Sequence, residues 1–266
     1  MYLPLTVRLG CAVGLGLLLA TAGARPLAAD EIVAVYNAFW AGLPAGRIRL
    51  KLDDAGQIYH NEIEIETEGL PHLFARFRAT AVAEGRLAED RPAEPSHYRA
   101  LYDLRKRRDS RISIQFVNRT GATLAERGSD DTSRKPPLAE IFRKNIVDPL
   151  SALERIRAAL RAPRRNGGFS IPVYDGARRF DIVGHILPKK DPSESILRVE
   201  LTLRPIAGFK GETSEDGDPD SAPRKVELTV TDDTRVVPLS IEVPVFFMPL
   251  VVQVRRICPP QDPCSG

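Results

Sequence analysis

The chain has 266 residues, of which 43% are hydrophobic, so it can form one large β domain or two smaller domains. Its 38 lysines and arginines nearly balance 35 aspartates and glutamates, which leaves a formal net charge of +3. This balance argues against a dedicated nucleic-acid-binding protein, because such proteins usually carry a strongly basic face.

Residues 1–24 have the features of a secretory signal peptide. A positive end that includes Arg8 precedes the uncharged apolar run Leu9–Thr21, and Ala22-Gly23-Ala24 has the small–x–small form of a cleavage site. Cleavage after Ala29 is the alternative. The apolar run is shorter than the roughly 20 residues of a membrane-spanning helix. We therefore expect a periplasmic protein that is not an integral membrane protein after cleavage.

About a dozen short strands are predicted over residues 30–257, beginning with the β-branched and aromatic stretch Ile32–Trp40. The proline-containing stretch Pro92–Pro95 is predicted to be a loop. No repeat and no linker divides residues 30–257, so we assign them to a single, mainly β domain.

Alternating side chains predict one hairpin in detail. In Arg47–Leu52 basic residues alternate with aliphatic ones, and in Glu62–Glu66 acidic residues alternate with aliphatic ones. Antiparallel pairing turns both aliphatic sets inward and sets Arg49 opposite Glu62 or Glu64. The hairpin is therefore expected to have a charged outer face.

One long α-helix is predicted in the middle of the chain. Asp148 has a side chain suited to cap a helix amino terminus, and Pro149 suits the first helical position. Ser151, in the first turn, is assigned a capping role as well. Apolar residues then recur at steps of three and four as far as Leu160. We expect a strongly curved antiparallel sheet to wrap around this central helix.

A second hairpin is predicted around Asp175-Gly176, a dipeptide that favours tight turns. Arg178 and Arg179 follow the turn directly. We expect them to pair with Asp148 or Asp181, which would tie the sheet to the start of the helix.

No catalytic or metal-binding motif is visible in the sequence. Ser151, His185 and Asp181 supply the three residue types of a hydrolase triad, but Ser151 lacks the surrounding G-x-S-x-G pattern. The 4 histidines are scattered without metal-ligand spacing. We therefore predict no catalytic residue, no metal and no cofactor.

The tail, residues 258–266, contains both cysteines that remain after signal cleavage, Cys258 and Cys264. In an oxidising compartment this pair is expected to form a disulfide that staples the tail locally. A redox role is the alternative, although the spacing is not that of a C-x-x-C motif.

An unusually apolar run, Val243–Val252, contains two prolines that disturb regular strand pairing. Much of the run is expected to be core strand. Phe246, Phe247 and Met248 are predicted to line an apolar groove that binds a ligand or a partner.

Several segments keep a characteristic order along the chain. They are Tyr36–Gly46, Thr67-x-Gly69-Leu70, Pro95–Tyr98, Asp148-Pro149-Leu150-Ser151, Val173-Tyr174-Asp175-Gly176-x-Arg178 and Asp232–Leu239. On these segments the chain resembles the exported bacterial proteins of the DUF3108 family. The resemblance implies an open barrel or β-spiral, similar to lipoprotein carriers, around one helix. It implies no catalytic residues.

Three functions remain open at this point. The first is a non-enzymatic periplasmic scaffold of the cell envelope that binds a lipid, a lipoprotein-like ligand or an envelope protein. The second is a hydrolase of envelope polysaccharide or lipid, which would need two carboxylates converging in a cleft. The third is a structural assembly factor without a small ligand. A lined apolar cavity, a carboxylate pair or a filled core would distinguish them.

Overall fold

The computed structural model places most of the chain between Asp30 and Cys264. The residues it describes are 30–69, 77–88, 91–104, 107–119, 121–133, 135–162, 167–209, 222–245, 248–258 and 264. The predicted signal peptide lies outside these ranges, as do Phe246 and Phe247.

A single antiparallel sheet of 13 strands dominates the structure. The strands are β1 (Asp30–Trp40), β2 (Leu43–Ala55), β3 (Ile58–Thr67), β4 (Phe77–Ala88), β5 (Arg91–Leu104), β6 (Arg107–Arg119), β7 (Ala122–Arg127), β8 (Phe169–Tyr174), β9 (Arg179–Ile186), β10 (Ile196–Ala207), β11 (Arg224–Thr231), β12 (Pro238–Val245) and β13 (Met248–Cys258). A short 3₁₀ helix, Glu140–Arg143, and the α-helix α1, Pro149–Arg161, connect β7 to β8. Within the described ranges, the prediction of a mainly β structure with one α-helix is confirmed.

The spatial order of the strands is β7-β6-β5-β4-β3-β2-β1-β13-β12-β11-β10-β9-β8. The first and last strands of the chain therefore pair with each other in the middle of the sheet. Strands β7 and β8 form its two edges, so strand pairing does not close the sheet within the described ranges.

The register of β2 and β3 decides between the two partners that the sequence allows for Arg49. Arg49 lies opposite Glu64, and its Nη1 is 3.9 Å from a Glu64 carboxylate oxygen. Both side chains are partly exposed, so the pair stabilises the hairpin by less than about 1 kcal/mol. On the inner face Leu50 and Leu52 are buried.

The prediction of a loop at Pro92–Pro95 is wrong, because β5 runs through both prolines. The pairing of β4 with β5 shifts register between Glu84 and Gly85, and Gly85 lies opposite Pro95. A β-bulge leaves one residue out of the hydrogen-bonded ladder, so a proline without an N–H is tolerated there.

A short segment before α1 covers parts of both sheet edges. Its residue Lys144 forms an antiparallel bridge with Leu124 of β7, and Val147 forms a parallel bridge with Val173 of β8. The Val147 N–H donates to the Pro172 carbonyl at 2.9 Å, and the Val147 carbonyl accepts from the Tyr174 N–H at 2.8 Å. Unpaired edge groups invite aggregation, and these hydrogen bonds satisfy several of them.

Helix α1 contributes apolar side chains to three parts of the core. Ala152, Ile156 and Leu160 pack with β8 to β11, and Leu150 packs with residues from β3 to β8. Leu153 packs against a cluster from β1, β2, β12 and β13. Each of these contacts removes apolar surface from water, and each Å² removed stabilises the fold by about 25 cal/mol.

The start of α1 is a buried hydrogen-bonded cluster. Asp148 caps the helix by accepting from the N–H groups of Leu150 and Ser151 at 3.0 and 2.8 Å, and Pro149 occupies the first turn. The Ser151 hydroxyl donates to the other Asp148 oxygen and lies 2.6 Å from the Tyr59 hydroxyl. Burial raises the pKa of the Asp148 carboxyl to about 6, although the hydrogen bonds from Ser151 oppose the shift.

A second buried polar cluster lies farther along α1. The Arg157 guanidinium is 2.6 Å from Glu154 and 3.1 Å from Asp54 of β2, and it donates to the Arg235 carbonyl at 2.9 Å. The Asn61 amide donates to the same Glu154 oxygen at 2.8 Å. Arg157 and Glu154 are each 1% exposed, so these contacts compensate charges that water cannot reach.

The turn between β8 and β9 is built around Asp175 and Gly176. One Asp175 oxygen accepts from the N–H groups of Ala177 and Arg178 at 2.9 and 2.7 Å, and Gly176 has a φ of 96°. Arg178 pairs with Asp175 inside the turn, at 2.9 Å. Its neighbour Arg179 pairs with Asp181 of the same strand at 2.6 Å. Asp181 is one of the two predicted partners, but both pairs lie within the β8–β9 hairpin and do not tie the sheet to the start of α1.

At the carboxyl terminus Cys258 and Cys264 form a disulfide with a Cα–Cα distance of 5.8 Å. Both cysteines pack against Val33 of β1. The disulfide thus fastens Cys264 to the middle of the sheet, where β1 and β13 pair.

Replacing Asp148 by Asn should remove a pH-dependent part of the stability. Because burial raises the folded-state pKa, Asp148 contributes stability that is complete below about pH 4 and is lost as the pH rises through about 6. Asn keeps an oxygen that caps the helix but does not titrate. Relative to Asp148→Asn, the free energy of unfolding of the wild type should fall by on the order of 3 kcal/mol between pH 4 and pH 8. Urea titrations at several pH values measure this difference, and parallel pH curves would contradict it.

Replacing Arg157 by Met should destabilise the fold by about 3–5 kcal/mol, because it leaves the buried Glu154 carboxylate without its cation. Arg161→Met is the matched control, since Arg161 also contacts Asp54 and the Arg235 carbonyl but is 33% exposed. We expect the control to lose only about 1 kcal/mol. The double variant Glu154→Gln with Arg157→Met should regain part of the loss. If thermal or urea unfolding showed equal losses of stability for Arg157→Met and Arg161→Met, the predicted role of Arg157 as the counter-ion of Glu154 would be refuted.

Candidate functional site

Exposed apolar side chains gather where two hairpins meet at one end of the sheet. We call this surface the apolar rim; it consists of Trp40, Leu43, Pro244, Met248 and Pro249. Trp40, Leu43 and Met248 are 38%, 52% and 43% exposed. Contiguous exposed apolar surface of this kind often marks a binding site.

Pairing across β1 brings the two hairpins of the rim together. Trp40 lies opposite Leu43 of β2 on one side and opposite Leu250 of β13 on the other. The Ala41 N–H, in the turn between β1 and β2, donates to the Pro249 carbonyl at 3.5 Å. The rim is therefore one continuous surface rather than two separate hairpin tips.

Strand alternation explains why the rim is apolar. Trp40 is two residues beyond Ala38, so both side chains point to the core face of the sheet. Ala38 is 8% exposed and belongs to the core, whereas Trp40 is 38% exposed. At Trp40 the core face of β1 therefore reaches solvent, whereas Pro244 and Pro249 alternate with core-packed Val243 and Leu250 and lie on the outer face.

A shallow groove of about 450 Å³ adjoins the rim on the outer face of β10 to β13. We call it the outer groove. It is lined by Leu187, Glu200, Lys225, Val226, Glu227, Glu242, Pro244, Met248 and Pro249. It shares Pro244, Met248 and Pro249 with the apolar rim, so the two surfaces are continuous.

Three glutamates form a row across the outer groove. Glu227 of β11 lies directly opposite Glu200 of β10 on one side and Glu242 of β12 on the other. Lys225 neutralises Glu200, with its Nζ 3.1 Å from the carboxylate. Glu227 and Glu242 form no ion pair with any other described residue, so the groove is negatively charged.

A second groove, of about 530 Å³, lies over β4 to β6. Both arginines that line it have an acidic partner: Arg78 pairs with Glu66 at 2.7 Å, and Arg111 pairs with Asp130 at 4.0 Å. This groove therefore has cations of its own beside its acidic side chains, unlike the outer groove, where two glutamates have no ion pair among the described residues.

The structure separates the three residues that could have formed a hydrolase triad. Ser151 is 0% exposed and bonded to Asp148 and Tyr59 in the interior. Asp181 and His185 alternate with Ile182, which points into the core, so both lie on the outer face of β9. A nucleophile and a base on opposite faces of a sheet cannot exchange a proton.

The buried acidic side chains serve the fold and are closed to a substrate. Asp148 caps α1, and Glu154 binds Arg157 and Asn61, with each carboxylate at most 1% exposed. Within the described ranges no group of three or more His, Cys, Asp or Glu side chains could hold a metal ion. Among the same residues, no helix is long and apolar enough to cross a membrane.

The residues predicted for ligand binding fall only partly within the described structure. Met248 belongs to both the rim and the outer groove, whereas Phe246 and Phe247 lie outside the described residues. Sequence reasoning missed Trp40 and Leu43, because the run Ile32–Trp40 reads as ordinary core strand. It also missed the glutamate row, since strand register joins residues that are distant in the chain.

Comparisons with known proteins match this architecture. A family model described as a protein of unknown function (DUF3108) matches residues 35–252. The fold is similar to the crystal structure of a β-barrel-like protein of the domain of unknown function DUF1849 from Brucella abortus, with a TM-score of 0.54 and 10% sequence identity. That similarity covers 85% of this chain and 96% of the Brucella chain, and it concerns the fold alone. No curated protein matches the chain. Because the family model spans most of its length, the chain belongs to the DUF3108 family.

Proposed function

We propose that this protein is a non-enzymatic scaffold of the cell envelope that binds an apolar segment of a ligand or partner at the apolar rim. The observation that carries the proposal is the exposure of Trp40, Leu43 and Met248 on one continuous surface. In this proposal the sheet curves around α1 as an open barrel, and the rim is its binding end.

Packing of α1 against the sheet supports a surface site over an internal one. Ala152 and Leu160 of the helix are 0% exposed, and residues of α1 contact all three core clusters. A lipid carrier of the internal type needs a sizeable apolar cavity, usually 300–1,000 Å³ for a small ligand. Side chains of α1 pack into all three core clusters and take up space that such a cavity would need, which favours binding at the rim.

Two sequence features support export to the periplasm. Residues 1–24 have the pattern of a secretory signal, and Cys258 and Cys264 are disulfide-bonded. Disulfides persist in oxidising compartments and are rare in the cytosol. The partner in this proposal is therefore an envelope protein or a lipid-bearing molecule of the envelope.

Replacing Leu43 and Met248 together by Ser should weaken capture of the partner by tenfold or more. Burying each side chain stabilises a complex by about 1.5–3 kcal/mol, and each 1.4 kcal/mol is a factor of ten in affinity. Native mass spectrometry of protein purified from the periplasm of its own host, with lipid extraction, measures the bound fraction. A photo-crosslinker at position 43 detects a protein partner in the same cells.

Ile58→Ser is the matched control, because Ile58 is 57% exposed and lies at the opposite end of β2 and β3 from Leu43. The control should keep the adduct and the crosslinks. A native mass spectrum that shows the wild-type protein without any adduct, together with equal crosslinking from positions 43 and 58, would refute binding at the rim.

A further inference from the structure

We infer that the outer groove binds an extended, cationic segment of a protein partner, with basic side chains over the glutamate row and an apolar side chain against the rim. This inference rests on the proposed function, because the outer groove and the apolar rim share Pro244, Met248 and Pro249. It adds the chemical class of the partner.

The position of the three glutamates on adjacent strands is unfavourable for the stability of the sheet. Glu200, Glu227 and Glu242 are direct neighbours on three adjacent strands, which are about 4.7–4.9 Å apart. Like charges directly opposite each other destabilise a sheet. A cation that sits between these carboxylates would relieve that repulsion.

Among the described residues, Lys225 is the only cation that forms an ion pair with the row. Lys225 reaches Glu200 with its Nζ at 3.1 and 3.2 Å from the two carboxylate oxygens. Glu227 and Glu242 are exposed and have no ion pair among the described residues. Two negative charges are therefore available to a ligand, although the whole chain carries a formal net charge of +3.

The geometry of β12 sets the spacing of the ligand. Glu242 and Pro244 are two residues apart on the same outer face, which is about 6.6–6.8 Å along a strand. An extended segment that lies along β12 has the same repeat. A Lys or Arg placed over Glu242 and Glu227 would therefore set the residue two positions farther on against Pro244, Pro249 and Met248. The expected ligand pattern is a basic residue, any residue, then an apolar residue.

The charge of the groove also distinguishes a protein from a membrane surface. Anionic lipid head groups attract basic protein surfaces and are repelled by carboxylates. Leu187, Pro244 and Pro249 supply apolar contacts that a simple polyamine would leave unused. A polypeptide with alternating basic and apolar side chains uses both features.

The test compares four fluorescein-labelled decapeptides in fluorescence anisotropy with the full mature chain. One has the repeat Arg-Ser-Leu-Ser; the others replace Arg by Glu, Leu by Ser, or both. The Arg–Leu peptide should bind at least tenfold tighter than the Glu–Leu peptide and tighter than the Arg–Ser peptide. Raising the salt concentration should weaken its binding, because part of the attraction is between exposed charges.

Glu227→Gln with Glu242→Gln should weaken binding of the Arg–Leu peptide at least tenfold. The matched control is Glu64→Gln with Glu66→Gln, which removes the same charge from the outer face of β3, where both glutamates already have cationic partners. The control should bind within twofold of the wild type. Equal binding of the Arg and Glu peptides, or equal loss in both double variants, would overturn the inference.

Two further measurements separate this inference from the proposed function. Leu43→Ser with Met248→Ser should weaken the Arg–Leu peptide but leave its preference over the Glu–Leu peptide. Loss of that preference would count against a separate role for the glutamate row.

Cosedimentation with neutral phosphatidylcholine vesicles that is as strong as peptide binding, and insensitive to substitution of Glu227 and Glu242, would also overturn the inference. It would leave the rim as a lipid-binding surface.

Discussion

The segment between Lys144 and Asp148 is the feature on which the rest of the structure depends. Its backbone hydrogen-bonds to β7 at one end and to β8 at the other, and Asp148 then caps α1. Within the described part of the chain the edge strands β7 and β8 do not pair with each other, so this segment joins the edges and fixes the helix in the same few residues. A substitution that disrupts this segment would leave two strand edges without hydrogen-bond partners and would also loosen the start of the helix.

Two buried polar clusters determine how α1 sits on the sheet. Apolar packing alone tolerates rotation or sliding of a helix, because the hydrophobic effect is not directional. Hydrogen bonds from Tyr59 to Ser151 and ion pairs from Arg157 to Glu154 and Asp54 have fixed partners on β2, β3 and the helix. Burying such groups without their partners costs free energy, so other registers of the helix are disfavoured.

Local features of the fold could be predicted from the sequence, whereas features that join distant strands could not. The alternation in Arg47–Leu52 and the cap at Asp148 each lie within one element, where side-chain period and chemistry act directly. The strand at Pro92–Pro95 was missed because a β-bulge accommodates the prolines. The glutamate row needed the register of β10, β11 and β12, and no local pattern encodes that register.

The sheet packs one helix against its core face, and the surfaces proposed for binding lie on its outer face and at one end. Trp40 is exposed because β1 extends past the last core layer at Ala38. On the outer face, alternation leaves glutamates where side chains point away from the helix, and Met248 joins that face to the rim. Apolar contact area and uncompensated charge then lie side by side. A partner segment that matched both would gain affinity from the rim and selectivity from the carboxylates, because charge complementarity governs the choice of partner more than the strength of binding.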